Sequence, residues 1–202
     1  MIYPDTAINI MKDINLPCWV AGGYLLSYFT SRPWRDIDIY FPSDRLKNQA
    51  VQNLIDKDYS LMDNFDGNVI KGGSAKLLDK NNNNIELMHR GNTPTETIQQ
   101  FDFTICCCSL NNDGILEYHH NYFDDVYNRR LVYTGTSPYV DFYRRMSRLK
   151  KYVSKGYGID QDNLIQWIDA ATDQHIAILS NKHEYIVDFK TIKEPLKNRL
   201  VE

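Results

Sequence analysis

The stretch from Ala21 to Phe41, AGGYLLSYFTSRPWRDIDIYF, is the most informative part of this sequence. It joins the glycine pair Gly22-Gly23 to an apolar segment of helical length, and a basic turn then leads into Asp36-Ile37-Asp38-Ile39. Glycine has no Cβ, so the pair predicts a tight turn where the backbone can approach a ligand closely. If a helix begins directly after the pair, its free N–H groups favour a phosphate at the same place.

The two aspartates are expected to lie on one face of a strand. Asp36 and Asp38 are two positions apart, so their side chains should share a face, whereas Ile37 and Ile39 should point to a core. Two carboxylates on one face repel each other unless a cation lies between them. Magnesium binds carboxylates together with substrate phosphates, which indicates metal-assisted phosphoryl chemistry. The alternative is an ordinary turn followed by a strand with two solvated aspartates.

This stretch resembles the catalytic signature of the DNA polymerase beta-like nucleotidyltransferase superfamily. The likeness is closest to the head domain of poly(A) polymerases and CCA-adding tRNA nucleotidyltransferases, which also carry Gly-Gly, an apolar helix, a basic turn like Ser31–Arg35 and Asp-Ile-Asp. Where the family usually has Val-Arg-Asp after the glycines, this chain has Tyr24-Leu25-Leu26. The resemblance implies two Mg²⁺ ions, a nucleoside triphosphate as substrate, and nucleotide contacts from Gly22, Gly23 and Arg35.

A third carboxylate is expected on a later strand. The run Asn81–Asn84 predicts a hairpin turn, and Ile85 and Leu87 then alternate with Glu86. The family's third acidic residue stands in a similar context, so we assign Glu86 to the metal and catalytic site beside Asp36 and Asp38. The alternative is an exposed glutamate on an amphipathic strand.

Two further segments resemble nucleotide-binding motifs of the family. Gln100–Ile105 is similar to its Arg-Arg-Asp-Phe-Thr-Ile segment, which implies that Asp102 helps to position the nucleotide, although Gln100 and Phe101 replace the two arginines. The segment after Tyr139 is similar to the family's Glu-Asp-x-x-Arg helix, which implies that Asp141 and Arg144 contact the base. Helix or strand caps and a solvated arginine are the alternative explanations for these residues.

The helix predicted after Tyr139 is strongly basic and ends at Gly156. Its expected apolar face consists of Phe142, Met146, Leu149 and Val153. The remaining positions carry a cluster of cations, of which Arg145 and Arg148 are candidates for binding triphosphate or an RNA backbone. A merely solvated basic face is the alternative.

Composition limits the possible classes of protein. The chain has 202 residues with 43% hydrophobic and 24% charged residues, values typical of a globular protein. A net charge of −3 gives no general affinity for nucleic acid, so RNA binding would depend on a local basic patch. No apolar run is long enough to span a membrane, and the N-terminal residues lack the order of a signal peptide. We expect Cys106, Cys107 and Cys108 to be buried on a strand in a reducing, cytoplasmic protein.

The sequence as a whole predicts an α/β (α+β) fold. We expect a small mixed-sheet nucleotidyltransferase head at residues 1–137, with flanking helices, and a short helical extension at residues 138–202. The expected activity is transfer of a nucleoside monophosphate to an acceptor hydroxyl, foremost an RNA 3′ end like that of tRNA. The alternative acceptors are a protein or a small molecule, and a non-catalytic nucleotide-binding module is a third reading. The sequence does not indicate the oligomeric state.

Overall fold

The computed structural model describes residues 4–62, 73–136 and 142–182. Its strands are β1 (Trp19–Ala21), β2 (Asp36–Phe41), β3 (Ser60–Leu61), β4 (Ala75–Leu78), β5 (Asn84–His89), β6 (Cys108–Asn111) and β7 (Leu116–Tyr118). Its helices are α1 (Asp5–Ile14), α2 (Gly23–Phe29), α3 (Asp44–Ile55), α4 (Pro94–Ile98), α5 (Tyr122–Tyr127), α6 (Phe142–Ser154) and α7 (Gln161–Lys182), with a 3-10 turn at Thr104–Cys106.

The seven strands form one mixed sheet in the order β3-β4-β5-β2-β1-β6-β7. The strands β2 and β5 pair in parallel, and the other neighbours in this order are antiparallel. A parallel pair needs a crossover connection, and α3 with the β3–β4 pair supplies it here. The expected α+β class, a mixed sheet with flanking helices, is confirmed.

Side-chain caps define where two of the helices begin. Ser43 Oγ accepts a hydrogen bond from the Leu46 amide at the start of α3, and Thr93 Oγ1 accepts one from the Glu96 amide at the start of α4. At α1 the capping position is occupied by Pro4, and Asp5 is the first helical residue. An acidic residue in the first turn still complements the helix dipole.

Strand β1, in the interior of the sheet, contributes to two hydrophobic clusters. Val20 packs into a cluster with residues of α1 and α3, whereas its neighbours Trp19 and Ala21 pack into a second cluster. The second cluster includes Phe103 and Trp167, whose rings stack with centroids 6.3 Å apart. Because successive side chains of a strand point to opposite faces, β1 packs against the N-terminal helices on one face of the sheet and against the C-terminal helices on the other.

The buried face of α6 differs from the apolar face expected from the sequence. Leu149 is buried as expected, but Met146 and Val153 are 39% and 49% exposed, and Arg145 and Tyr152 are buried instead. Tyr152 packs edge-on against the ring of Phe103 and lies with its hydroxyl 2.9 Å from Cys106 Sγ. Specific polar and aromatic contacts with the sheet therefore set the rotation of this helix.

The cysteine run also departs in part from expectation. All three cysteines are buried and free, as is Cys18. However, Cys106 is the last residue of the 3-10 turn and Cys107 follows that turn. Of the three cysteines, Cys108 therefore lies on a strand, as the first residue of β6, and the other two do not. Helix α5 packs against this turn, and Thr104 Oγ1 donates to the Asp125 carboxylate at 2.6 Å.

The C-terminal helical part is attached to the segment after α5 by backbone and side-chain hydrogen bonds. The Leu131 amide donates to the Gly158 carbonyl at 2.6 Å, and the Tyr133 amide donates to Asn163 Oδ1 at 3.0 Å. The boundary expected between residues 137 and 138 lies outside the described residues and stays a prediction. Within the described part of the chain, no helix is long and apolar enough to cross a membrane.

Candidate active site

Strands β2 and β5 bring the predicted acidic residues together. The parallel register pairs Asp38 directly with Glu86, and Asp36 lies two positions before Asp38 on the same face. The side chains that alternate with them, Ile37, Ile39, Ile85 and Leu87, are buried in the cluster on the opposite face. The alternation inferred from the sequence is therefore confirmed, and the catalytic role of the three carboxylates stays a prediction.

The three carboxylates face a cavity of about 290 Å³. Other predicted site residues that line it are Gly22, Gly23, Arg35 and Arg148. Sequence reasoning missed further lining residues, among them Tyr40, Arg90, Phe101 and Lys151. The alternation of β2 could have indicated Tyr40, because it shares a face with the two aspartates, whereas Arg90 and Lys151 carry no motif.

Asp38 is the most perturbed carboxyl group of the cavity. Burial, followed by the negative charges of Asp36 and Glu86, raises the pKa of Asp38 to about 7. The cations Lys151 and Arg90 act in the opposite direction and lower this pKa. At Asp38, burial and repulsion outweigh these two cations, and an additional cation beside the carboxylates would favour the charged form of this group.

Arg35 and Asp36 form an ion pair at the mouth of the cavity. The guanidinium lies 2.7 Å from Asp36 Oδ2, and its side chain is 82% exposed. Its hydrogen bond to Asp36 raises the pKa of Arg35. Because the pair is exposed to solvent, it contributes about 0–1 kcal/mol, so a competing ion could displace Arg35 at small cost.

The carboxylate oxygens of this site are of the type that binds magnesium. Three carboxylates on adjacent strand positions supply the hard oxygen ligands that Mg²⁺ prefers. In residues 4–62, 73–136 and 142–182, no three Asp, Glu, His or Cys side chains are already gathered into a metal site. Asp36 would have to turn from Arg35 towards Asp38 and Glu86 for all three to share an ion.

The glycine pair forms another wall of the cavity. Gly22 has φ of +78°, a conformation that a residue with a Cβ rarely adopts, and its amide donates to the Cys108 carbonyl at 3.1 Å. A Cβ at Gly22 would lie 3.5 Å from the Phe101 ring, whereas one at Gly23 would meet nothing within 4 Å. The backbone at Gly23 is therefore open to close approach from the cavity.

Asp102 and Arg148 bind each other. Arg148 donates from Nε and Nη2 to the two carboxylate oxygens of Asp102 at 2.9 and 2.7 Å. The Asp102 side chain is 4% exposed and that of Arg148 33% exposed. Burial lowers the pKa of Arg148, but the charge of Asp102 outweighs it and the pKa is raised. Asp102 thus fixes Arg148 at the edge of the cavity and joins α6 to the segment that leads into the 3-10 turn.

Three other residues were expected to bind nucleotide, and the structure describes two of them. Asp141 falls outside the described residues. Arg144 is exposed on α6, whereas Arg145 is buried against Tyr133. Burial raises the pKa of Tyr133, and the charge and hydrogen bond of Arg145 oppose that rise. Within the part of the chain that the structure describes, neither arginine lines the cavity.

A second contact fastens α6 beside the carboxylate strand. Arg32, in the turn before β2, donates to the Lys155 carbonyl at 2.5 Å, and its guanidinium lies 5.8 Å from the centre of the Tyr157 ring. Burial and the neighbouring charges of Lys151 and Arg32 lower the pKa of Lys155. The basic turn before β2, in which Arg35 was expected to contact the nucleotide, therefore also holds the end of α6 in place.

Comparison with known proteins gives one family and one fold. A family model described as Gabija anti-defense 2 family protein matches residues 4–129. No curated protein matches the sequence. Among solved structures, the Thermotoga maritima CCA-adding enzyme complexed with tRNA has a TM-score of 0.65 at 15% identity, over 97% of this chain and 51% of that one.

Two further structures of CCA-adding enzymes are similar. One in complex with CTP has a TM-score of 0.62 at 14% identity, over 99% of this chain and 53% of the other. One in complex with ATP has a TM-score of 0.61 at 14% identity, over 85% and 44% respectively. At this identity the likeness concerns the fold, which is that of the nucleotidyltransferases. The chain spans about half the length of these enzymes.

Proposed function

This chain belongs to the Gabija anti-defense 2 family, and from that premise and its fold we propose that it is a metal-dependent nucleotidyltransferase. It would move a nucleoside monophosphate from a nucleoside triphosphate to an acceptor hydroxyl. The acceptor oxygen would bond to the α-phosphorus, the bond from that phosphorus to the bridging oxygen would break, and pyrophosphate would leave. The observation that carries this proposal is the pairing of Asp38 with Glu86, beside Asp36, on one wall of a cavity.

The three carboxylates would hold the metal. Asp38 and Glu86 are neighbours across two strands, and Asp36 becomes available when Arg35 is displaced. Magnesium bound at such a site lowers the pKa of an attacking hydroxyl and neutralises charge on the triphosphate and on the leaving pyrophosphate. A non-catalytic nucleotide-binding module, the third hypothesis from the sequence, has no need of three carboxylates that repel one another.

Other residues of the cavity would position the triphosphate. Gly23 leaves the backbone open to a phosphate, and Arg90 and Lys151 supply positive charge close enough to influence Asp38. Arg148 would face the ligand in an orientation fixed by Asp102. Holding the reacting groups in the correct orientation lowers the barrier to reaction, because their translational and rotational entropy has already been lost on binding.

An RNA 3′ end is the acceptor that we favour. The similar structure from Thermotoga maritima is complexed with tRNA, and α6, which lines the cavity through Arg148 and Lys151, also carries exposed cations such as Arg144 and Lys150. A protein or small-molecule acceptor is the second candidate. The specific observation in its favour is the family name, which is that of a factor acting against a defence system rather than of a tRNA-processing enzyme.

Transfer of labelled nucleotide tests the proposal. The protein would be incubated with magnesium, each labelled nucleoside triphosphate in turn, and tRNA with or without its CCA end. We expect label in RNA from the wild type and from the control Asp113→Asn, which changes an exposed carboxylate in the β6–β7 turn. We expect no label from the double variant Asp36→Asn with Asp38→Asn.

The outcomes separate the hypotheses. Label in protein with RNA untouched would support the second candidate acceptor. Transfer that persists in the double aspartate variant would overturn the assignment of these carboxylates. Absence of transfer to RNA, protein and small hydroxyl compounds alike, with nucleotide binding retained, would favour the non-catalytic module.

A further inference from the structure

A second cavity, larger than the candidate active site, lies on the other side of the Phe101 backbone. It has a volume of about 540 Å³ and is formed by α4, the end of β7 and the segment around Thr134. Its size is within the range of small-molecule sites, about 300–1,000 Å³. The Phe101 ring lines the active-site cavity, whereas its carbonyl oxygen accepts hydrogen bonds from Thr134 and Thr136, which line the second cavity.

The second cavity differs from the active-site cavity in the charge of its wall. Among its lining residues in the described part of the chain, none is Asp, Glu, Lys or Arg. Two histidines are present, and burial, followed by the neighbouring His120, lowers the pKa of His119 and so favours its uncharged ring. A wall lined without carboxylates, lysine or arginine favours an uncharged ligand, in contrast to the charged active-site cavity.

The hydroxyl groups of this cavity act as acceptors towards a ligand. A hydroxyl has one donor hydrogen and two acceptor lone pairs. Thr95 Oγ1 donates its hydrogen to the Glu117 carboxylate, Thr134 Oγ1 donates to the Phe101 carbonyl at 2.7 Å, and Thr136 Oγ1 donates to the same carbonyl at 3.2 Å. Thr134 Oγ1 also accepts from the Thr136 amide at 3.3 Å and lies 2.8 Å from Thr136 Oγ1, so its lone pairs are used inside the protein as well. The lone pairs left for a ligand that donates are those of Thr95 and Thr136.

Aromatic rings lie at the same cavity. The rings of His119 and His120 have centroids 4.2 Å apart and an interplanar angle of 32°. His119 Nδ1 accepts a hydrogen bond from the Asn121 amide, which assigns the ring proton to Nε2. Tyr118 adds a third ring that is 48% exposed. Flat rings of this kind stack on nucleobases.

We propose that this cavity binds a nucleobase that carries an exocyclic amino group, stacked on the rings of residues 118–120 and donating hydrogen bonds to the threonine oxygens. Adenine, cytosine and guanine meet this description, whereas uracil has no amino group. The base would belong to a free nucleoside or to an unpaired position of a nucleic acid. The inference does not rest on the proposed transferase activity, because it concerns a separate cavity and needs no metal.

Binding can be located through the histidine ring resonances. The full chain would be titrated without magnesium with adenosine, cytidine and uridine, and the five histidines followed by NMR, with assignment by single His→Gln variants. We expect saturable shifts of the His119 and His120 resonances with adenosine and cytidine, and about tenfold weaker effects with uridine. The resonance of His89, which lies at the end of β5, should not move.

Two variants make the test specific to the cavity. His120→Ala removes an exposed stacking ring, and Thr136→Val removes an exposed acceptor at nearly constant shape, so both should fold normally. We expect binding to weaken about tenfold in His120→Ala and in Thr136→Val, and to remain unchanged in the control Asp113→Asn. A titration with the dinucleotide ApA distinguishes a free nucleoside from a base within a nucleic acid. If ApA binds more tightly than adenosine, the cavity favours a base within a nucleic acid, and if the two bind equally, it favours a free nucleoside.

The proposal would be overturned by nucleoside binding that shifts no resonance of His119 or His120, by the absence of saturable binding, or by equal binding of uridine and adenosine. These results leave the transfer assay unaffected, because that assay depends on the carboxylates. Conversely, a chain without transferase activity should still bind adenosine at this cavity.

Discussion

Removal of Arg148 should destabilise the protein more than removal of its partner Asp102. Arg148→Met leaves the Asp102 carboxylate, which is 4% exposed, without its cation and without both of its hydrogen bonds. The loss of one partner from a buried ion pair costs about 3–5 kcal/mol, and we take about 3 because one third of the arginine surface reaches water. For a chain of this length that loss lowers Tm by about 6–12 °C.

The reverse change should cost less. Asp102→Asn keeps an acceptor oxygen, and the guanidinium of Arg148 can turn its exposed side to water, so we expect a loss of about 1–2 kcal/mol. In the double variant the buried anion is gone, and the total loss should be about 2 kcal/mol smaller than the sum of the single losses. The asymmetry follows from the difference in exposure between the two partners.

Urea unfolding followed by circular dichroism measures these free energies. Lys150→Met is the matched control, since it removes an exposed cation from the same helix and should change stability by less than about 0.5 kcal/mol. An equal or larger loss for Asp102→Asn, or strict additivity in the double variant, would refute the reasoning from buried charge.

Three further predictions concern the glycine turn, the thiols and the metal. Gly22→Ala should destabilise the protein by about 1–3 kcal/mol in urea unfolding, because φ of +78° strains any residue with a Cβ. Burial raises the pKa of Cys106 to about 11 and that of each other cysteine as well, so a disulfide reagent at pH 8 should label none in the native protein and all four after unfolding. Since the pKa of Asp38 is raised to about 7, this carboxyl group becomes protonated as the pH falls below 7. Each pH unit below 7 should therefore lower the magnesium affinity measured by calorimetry by up to about tenfold, and the affinity should level off above pH 7.

Local patterns were sufficient for the sheet and for the carboxylate wall. The alternation around Asp38 and Glu86 predicted both faces correctly because one face of each strand is filled by isoleucine or leucine. The glycine turn was equally predictable, since glycine is the residue that a positive φ requires. Such features depend on neighbours in sequence and therefore leave a signal in the sequence.

The environment of α6 was not predictable in the same way. Arg145 and Arg148 have the same residue type and stand on the same basic helix, yet one is buried against Tyr133 and the other is bound to Asp102. Their partners lie on distant segments, so helical periodicity could not indicate them and gave a face that includes the exposed Met146. The second cavity was missed for the same reason, because it joins three segments that share no motif.

The parallel pairing of β2 with β5 also has a consequence for folding. Asp38 and Glu86 become neighbours only after the whole crossover through α3 and the β3–β4 pair has closed, and closing a long loop costs entropy before any contact compensates for it. During synthesis the carboxylate wall can form only once β5 has left the ribosome, and the side of the cavity formed by α6 must wait still longer. A partly made chain therefore holds its acidic residues apart and has no assembled site.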